Sequence, residues 1–286
     1  MKYILFGGSG FIGSKIKARI QMQAGSECFA PKSSECDLRN PEQVANVLAP
    51  ILKNRMVIFA AGIPRLRANG FDTFTINQAM IFNLLAQFER TPPNQLIFLS
   101  TVEVYGTPDK LPIMETTPLL PDTLYGVGKV TVELMLQRWQ RQTQIPLAIL
   151  RLPGIYGPED QGKGLIGALI RTIRNNGEFN LIGGGKELRD FVFVDDVAQA
   201  VLNLSAGNFK SLTLNLATGT SYPVSEIIQK IFKVHGECKL NEVPQTQKIC
   251  HLQFDISMLR KHIPKQKMTI LDDGIRKYEI GRSVNK

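Results

Sequence analysis

The sequence predicts an α/β chain built on a doubly wound parallel sheet, and three observations predict it. Short, continuously apolar runs alternate with helical stretches through the first half, the pattern of strands covered on both faces by crossover helices. A glycine-rich turn, Gly7-Gly8-Ser9-Gly10-Phe11-Ile12-Gly13, lies between the first apolar run and the first helical stretch. The run Leu96 to Leu99 ends in the hydroxyls of Ser100 and Thr101, at the sheet edge where such folds bind ligands.

Taken in order, Lys2 to Phe6 reads as a buried strand, Phe11 to Met22 as a helix and Cys28 to Ala30 as a short strand. Asn40-Pro41 caps a helix over Glu42 to Leu52, with proline in its first turn. Met56 to Ala60 is the next strand, and Asp72 to Glu89 a long amphipathic helix stopped by Pro92-Pro93. Leu96 to Ser100, Tyr125 to Gln142 and Leu147 to Leu152 continue as strand, helix and strand. Beyond Leu152 the pattern loosens. Gly- and Pro-rich loops separate a helix at Leu165 to Asn175 from the segment Asp190 to Ser205. A strand at Leu212 to Leu216 and helices at Ser225 to Val234 and Ser257 to His262 follow. The expected organisation is a sheet domain of residues 1–152 plus about 195–216. A small discontinuous C-terminal lobe, about 153–194 and 217–286, would bind the substrate.

Composition narrows the function. With 286 residues, 43% of them hydrophobic and 21% charged, the chain can bury a full core. Cys28, Cys36, Cys238 and Cys250 lie far apart, which suits a reducing cytoplasm better than a disulfide framework. His235, Cys238, Cys250 and His251 are ligand-type residues, but their spacing matches no zinc knuckle, so no metal is expected. No apolar run reaches the roughly 20 residues of a membrane span, and no signal peptide is read. The net charge is +9, and from Lys248 onward nine Lys/Arg face four acids. That basic end lacks aromatic interleaving or a nucleic-acid motif. It reads as a solvated face or an attractor of phosphate-bearing substrate, and no nucleic-acid partner is expected.

The glycine turn has the Rossmann form. Gly7 permits the sharp turn, Gly10 lets the backbone approach a pyrophosphate, and Gly13 allows close helix packing. Free amides at the helix start, Phe11 and Ile12 among its first residues, favour an anion there. NAD-preferring sites place an acid after the second strand to hold the ribose hydroxyls. Here the stretch is Ala30-Pro31-Lys32-Ser33-Ser34, whose lysine and hydroxyls suit a 2′-phosphate. The cofactor expected is therefore NADP in preference to NAD. Asp37 and Leu38 lead into the next connection and would border the adenine.

Tyr125 and Lys129 stand four residues apart on a helix, one turn and about 6 Å of rise, and share a face. A nearby ammonium lowers a phenol's pKa, letting the tyrosine exchange a proton with a sugar oxygen near neutral pH. A hydroxyl at Thr101 can orient that oxygen, although a strand-end threonine also commonly satisfies a loop amide.

In order and spacing, these elements resemble the extended short-chain dehydrogenase/reductase family, the NAD(P)-dependent sugar-nucleotide epimerases, dehydratases and keto-reductases. The resemblance runs from Met1 to about Lys277. It includes Ala60-Ala61-Gly62, Ser100-Thr101 with Val104-Tyr105-Gly106, and the Tyr125/Lys129 pair. It continues through Arg151-Leu152-Pro153-Gly154-Ile155-Tyr156-Gly157-Pro158 and the stretch from Arg189-Asp190 to Val197-Ala198. It implies that Tyr125 is the acid/base, that Lys129 binds the nicotinamide ribose and tunes Tyr125, and that Thr101 is the active-site hydroxyl. It further implies that Ala60, Ala61, Gly62, Pro153 and Ile155 contact the cofactor and that Arg189 contacts the nucleotide's phosphates. Arg189 has a bland alternative, an ion pair with Asp190 or Asp195.

The departures refine this. Family 4,6-dehydratases carry Thr-Asp-Glu where this chain has Thr101-Val102-Glu103, and valine cannot protonate a leaving hydroxyl. Glu103 is left as a substrate contact or a loop acid. Gly154 replaces the family's asparagine, Gly128 its serine, and Phe59 stands where many relatives have histidine. The expected activity is hydride transfer at a carbon of a nucleotide-activated sugar, by a keto-reductase or a 4-epimerase. The alternative is a non-catalytic dinucleotide-binding regulatory or assembly protein. By analogy with relatives, the helices Asp72 to Glu89 and Tyr125 to Gln142 would form a four-helix homodimer contact.

Overall fold

A computed structural model describes residues 1–65, 67–68, 70–160, 164–207, 209–246 and 248–283. Six parallel strands form the central sheet: β1 (Lys2–Phe6), β2 (Glu27–Phe29), β3 (Met56–Phe59), β4 (Gln95–Thr101), β5 (Leu147–Leu152) and, later in the chain, the strand Ser211–Asn215. Between them run α1 (Phe11–Gln21), α2 (Pro41–Leu48), α3 (Phe71–Arg90) and α4 (Leu124–Thr143). The remaining elements are β6 (Gly154–Tyr156), α5 (Leu165–Arg174), β7 (Glu178–Ile182), β8 (Leu188–Arg189), β9 (Phe191–Phe193) and α6 (Val194–Ser205). After them come β10, which is the sheet strand Ser211–Asn215, then β11 (Tyr222–Pro223), α7 (Val224–His235), β12 (Lys239–Val243), α8 (Ser257–His262) and α9 (Leu271–Ser283).

The sheet order is β10-β5-β4-β3-β1-β2. The chain runs outward from β1 to β2 and then crosses to β3 on the other side, so the topological switch lies between β1 and β3. Ligands in open parallel sheets bind outside that crevice. Strand periodicity divides the apolar side chains between two layers. Tyr3, Leu5, Ile58 and Leu150 join α1 and α6 on one face, whereas Ile4, Phe6, Val57 and Ile149 meet residues of α2, α3 and α4 on the other.

The expected strands at Lys2–Phe6 and Leu147–Leu152 match the structure residue for residue. Helix α2 starts where its signals place it, with the Asn40 side chain accepting from the Glu42 and Gln43 amides at 3.0 and 3.1 Å. It stops at Leu48 rather than Leu52, since Pro50 cannot continue the ladder. Past Leu152 the chain makes three two-stranded sheets: β6 with β9 and β7 with β12, both parallel, and β8 with β11, antiparallel. A third apolar cluster lies under them, built from α5, α7 and α9 around Tyr156, Phe193 and Tyr278. Phe254, Ile256, Leu259 and Ile263 instead pack into the core of the main sheet. All four cysteines are free thiols, and no helix among the described residues is long and apolar enough to cross a membrane.

Candidate active site

The turn after β1 is shaped for close approach. Gly7 has φ +84°, and a Cβ there would come within 2.7 to 2.8 Å of the Ala60–Ala61 backbone. A Cβ on Gly13 would stand 2.0 Å from the Gly7 carbonyl oxygen, so α1 presses directly on the turn. Helix α1 has no side-chain cap and no acid in its first turn, which leaves its leading amides and positive dipole end for an anion. A pyrophosphate fits this cradle.

A cleft opens from the turn along the carboxyl edge of β1, β3 and β4. Gly7, Gly10, Phe11, Ile12 and Gly13 form one wall, and Ala60, Ala61 and Gly62 the next. Tyr125, Lys129 and Ile155 complete it, together with Arg67, Ser100 and Asp160. The Lys129 ammonium donates to the Leu99 carbonyl at 2.9 Å and stands 4.7 Å from the Phe98 ring centroid and 5.7 Å from that of Tyr125.

A second cleft adjoins the first and shares Leu152, Ile155 and Gly164 with it. Thr101, Glu103, Pro153 and Arg189 line it, with Arg65, Asp190 and Cys250. The two clefts meet at Leu152 and Ile155, beside the end of β4 and the start of α4, which give Ser100 and Tyr125 to the first cleft and Thr101 and Thr123 to the second. That junction is tightly packed. Thr101 accepts from the Glu103 amide at 3.2 Å, and Glu103 in turn accepts from Thr123, which caps α4. A Cβ on Gly106 would stand 1.9 Å from the Leu120 carbonyl oxygen, and one on Gly126 2.7 Å from that of Glu103.

Other sequence-predicted residues lie elsewhere. Lys32 and Ser33 are outside the cleft on the loop after β2, whose first turn is held by the Lys32 amide donating to Glu35 at 2.7 Å. Asp37 is engaged by the Arg39 guanidinium at 2.6 to 3.0 Å, and those hydrogen bonds hold its carboxyl below the ordinary aspartate value. Leu38 is buried in the core beneath the sheet. Pro153 borders the second cleft and not the first. Arg189 pairs with neither Asp190 nor Asp195: it reaches Glu187 at 2.6 Å and also donates to the Leu188 and Cys250 carbonyls.

The packing also accounts for the departures. A Cβ on Gly154 would stand 2.5 Å from the Phe191 ring, which fills the space a side chain would take. Phe59 stacks on Phe98 at 5.8 Å and closes the sheet end with apolar surface. A Cβ on Gly128 would meet Gln78 Nε2 at 3.0 Å and the Phe74 ring at 3.2 Å.

One electrostatic expectation reverses. Burial first, and then the Glu103 carboxylate, push the Tyr125 phenol above its ordinary value, while Arg65 opposes them. The Lys129 ammonium donates to the Leu99 carbonyl and stands 5.7 Å from the Tyr125 ring centroid. Sequence reading also missed Arg65, Arg67, Asp160 and Asp190. The spacing of Arg65 and Arg67 just past the strand-end Ala60-Ala61-Gly62 is the signal that would have found the first two.

Asp190 is nearly fully buried and clamps the loop after β10, accepting from Thr218 N at 3.1 Å, Thr218 Oγ1 at 2.8 Å and Gly219 N at 3.0 Å. Burial raises its carboxyl from 3.8 to about 6 in spite of these donors. Between those values the folded chain holds a proton that the unfolded chain has lost. The stability this group contributes is thus fully present below 3.8 and lost as pH rises through about 6. Denaturant titrations from pH 4 to 7 are expected to show this slope in the native protein and a flatter one in Asp190→Asn.

Comparison with known proteins places this geometry. A family model described as "NAD dependent epimerase/dehydratase family" matches residues 3–215. A putative UDP-glucose 4-epimerase of Methanocaldococcus jannaschii is 32% identical over 188 residues, spanning 63% of this chain and 61% of that protein. A UDP-glucose 4-epimerase of Lactobacillus helveticus is 26% identical over 272 residues, 82% of each chain. dTDP-D-glucose 4,6-dehydratases also match. The solved structure of RMD from Pseudomonas aeruginosa complexed with NADPH superposes with a TM-score of 0.88 at 20% identity, over 100% of this chain and 99% of that one.

Proposed function

This chain belongs to the NAD dependent epimerase/dehydratase family, and on that premise we propose that it transfers hydride at a carbon of a nucleotide-activated sugar. It does so as a keto-sugar reductase, with a 4-epimerase as the second reading. The observation that carries this is the junction of the two clefts, where Tyr125 and Lys129 line one side and Thr101 the other.

The first cleft takes NAD(P), with the pyrophosphate on the α1 amides and the nicotinamide end toward Lys129. When bound, the nicotinamide supplies or accepts the hydride. The chain supplies the rest. Thr101 hydrogen-bonds the reacting sugar oxygen, Tyr125 gives or takes its proton, and Arg189 meets the nucleotide phosphates once it exchanges Glu187 for them. Epimerisation has the support of the named relatives. Dehydration is disfavoured because Val102 is buried and carries no proton. NADP is favoured over NAD because Ala30, just past the end of β2 and beside Gly8, offers no acid for the ribose hydroxyls.

Incubation of the purified protein with NADPH or NADH and a series of keto-sugar nucleotides, and in parallel with NAD or NADP and the corresponding hydroxyl-bearing sugar nucleotides, tests the reading. Stoichiometric loss of reduced-cofactor absorbance supports the reductase, and interconversion without net loss supports the epimerase. Formation of a 4-keto-6-deoxy sugar overturns both. Dinucleotide binding without any turnover leaves a regulatory or assembly role.

A homodimer through α3 and α4 accompanies the proposal. These helices pack side by side and expose Phe71, Phe82, Val127 and Leu134, side chains that a two-fold contact would cover. Light scattering is expected to give twice the 31.9 kDa chain mass. The free thiols suit a reducing cytoplasm.

A further inference from the structure

Beneath the junction lies a buried charge network that the proposed chemistry does not use directly. Glu133, one helical turn beyond Lys129 on α4, has a side chain 0% exposed, and Arg151 on β5 is 3% exposed. Arg151 grips the carboxylate with Nε at 3.2 Å from both oxygens and with a second nitrogen at 2.7 Å. Ser100, next to Thr101 on β4, donates to the same carboxylate. Arg151 is then fixed by the Tyr105 hydroxyl at 2.8 Å, and Tyr105 by Asn215 at 2.6 Å. Strands β4 and β5 thus converge on one carboxylate carried by α4, with Tyr105 and β10 backing Arg151.

A buried ion pair of this kind seldom stabilises a fold more than well-packed apolar residues would, so its presence calls for another use. Resting on the assignment of Tyr125 and Lys129 to the reaction, we infer that Glu133 is a positioning residue: the buried counter-ion that keeps Lys129 an ammonium, with Arg151 and Ser100 holding the carboxylate in place.

The surroundings of Lys129 support this. Leu99 offers it a carbonyl and Phe98 a ring from β4, while α3 contributes the uncharged Gln78. Tyr125 is on its own helix, and Arg67 and Asp160 line the open side of the cleft. Desolvation lowers the lysine from 10.5 to about 8, and the Coulombic attraction opposing it comes from Glu133. A dinucleotide filling the cleft would strip more water from Lys129 and drive it further toward the neutral amine. A fixed carboxylate on the far side offsets that without blocking the cleft.

Competitive acetylation of the full-length protein across pH, read by mass spectrometry relative to its other lysines, tests the inference without requiring turnover. In Glu133→Gln, Lys129 is expected to react up to about tenfold faster at pH 7 than in the native protein, the ceiling that a fully neutral amine sets, and Glu133→Asp is expected to stay near native. Should Glu133→Gln fail to fold around the stranded Arg151, Glu133→Gln with Arg151→Met removes both charges, and a smaller rise, still above twofold, is expected because a cation leaves with the carboxylate. A folded variant of either kind with Lys129 reactivity within twofold of native overturns the inference. A rise above twofold in a protein that turns over no keto-sugar leaves the counter-ion role standing and removes only the proposed reaction.

Discussion

Tyr125→Phe is expected to lower turnover by roughly 10²- to 10⁴-fold, the usual contribution of a positioned acid or base. The substitution deletes one oxygen. The ring that lines the cleft and faces Lys129 remains, and α4 keeps its cap, since Thr123 accepts from the Gly126 amide at 3.0 Å. Dinucleotide affinity, measured by fluorescence titration, is therefore expected to match the native protein. So is the melting temperature. The same phenol gives the proton in ketone reduction and takes it in the reverse oxidation, so the loss is expected in both directions. Native turnover in the variant would remove Tyr125 from the chemistry.

Arg151→Leu is expected to cost about 3–5 kcal/mol of stability, because it strands Glu133 in the core without its partner. For a chain of this size each kcal/mol shifts the thermal midpoint by about 2–4 °C, so a fall of roughly 10 °C is anticipated. The Tyr105 hydroxyl and the Glu115 carbonyl lose a donor at the same time. Pairing Arg151→Leu with Glu133→Leu removes the stranded charge and is expected to recover most of the loss. Chemical denaturation of the two variants separates an uncompensated charge from a packing defect. If Arg151→Leu melts with the native protein, the network carries no such energy.

Much of this was legible from residue order. The continuous apolar runs at Lys2–Phe6 and Leu147–Leu152 admit little but buried parallel strands, and the glycine turn follows directly. Tyr125, Lys129 and Thr101 were placed near the clefts because helix period and strand ends are local properties. The rest depends on contacts distant in sequence. β8 and β11 are two residues each and exist only by pairing with one another, Tyr222 opposite Arg189. Helix α9 begins with Asp272-Asp273-Gly274, a poor apolar signal, yet Leu271, Ile275 and Tyr278 recur at helical spacing and are all buried. Asp37 reads as a neighbour of the adenine until Arg39, two residues on, claims it. The direction of the Tyr125 shift depends on Glu103 and on burial, neither of which its own helix reveals.

The missing side chains at Gly106 and Gly126 have a mechanical consequence. With backbone on backbone at those two points, and the Thr123–Glu103 bond between them, the end of β4 cannot slide relative to the start of α4. Hydroxyl, phenol and ammonium therefore travel as one plate. On the proposed reading, any adjustment to a sugar falls to the opposite wall of the second cleft, which carries Arg189 and Phe191.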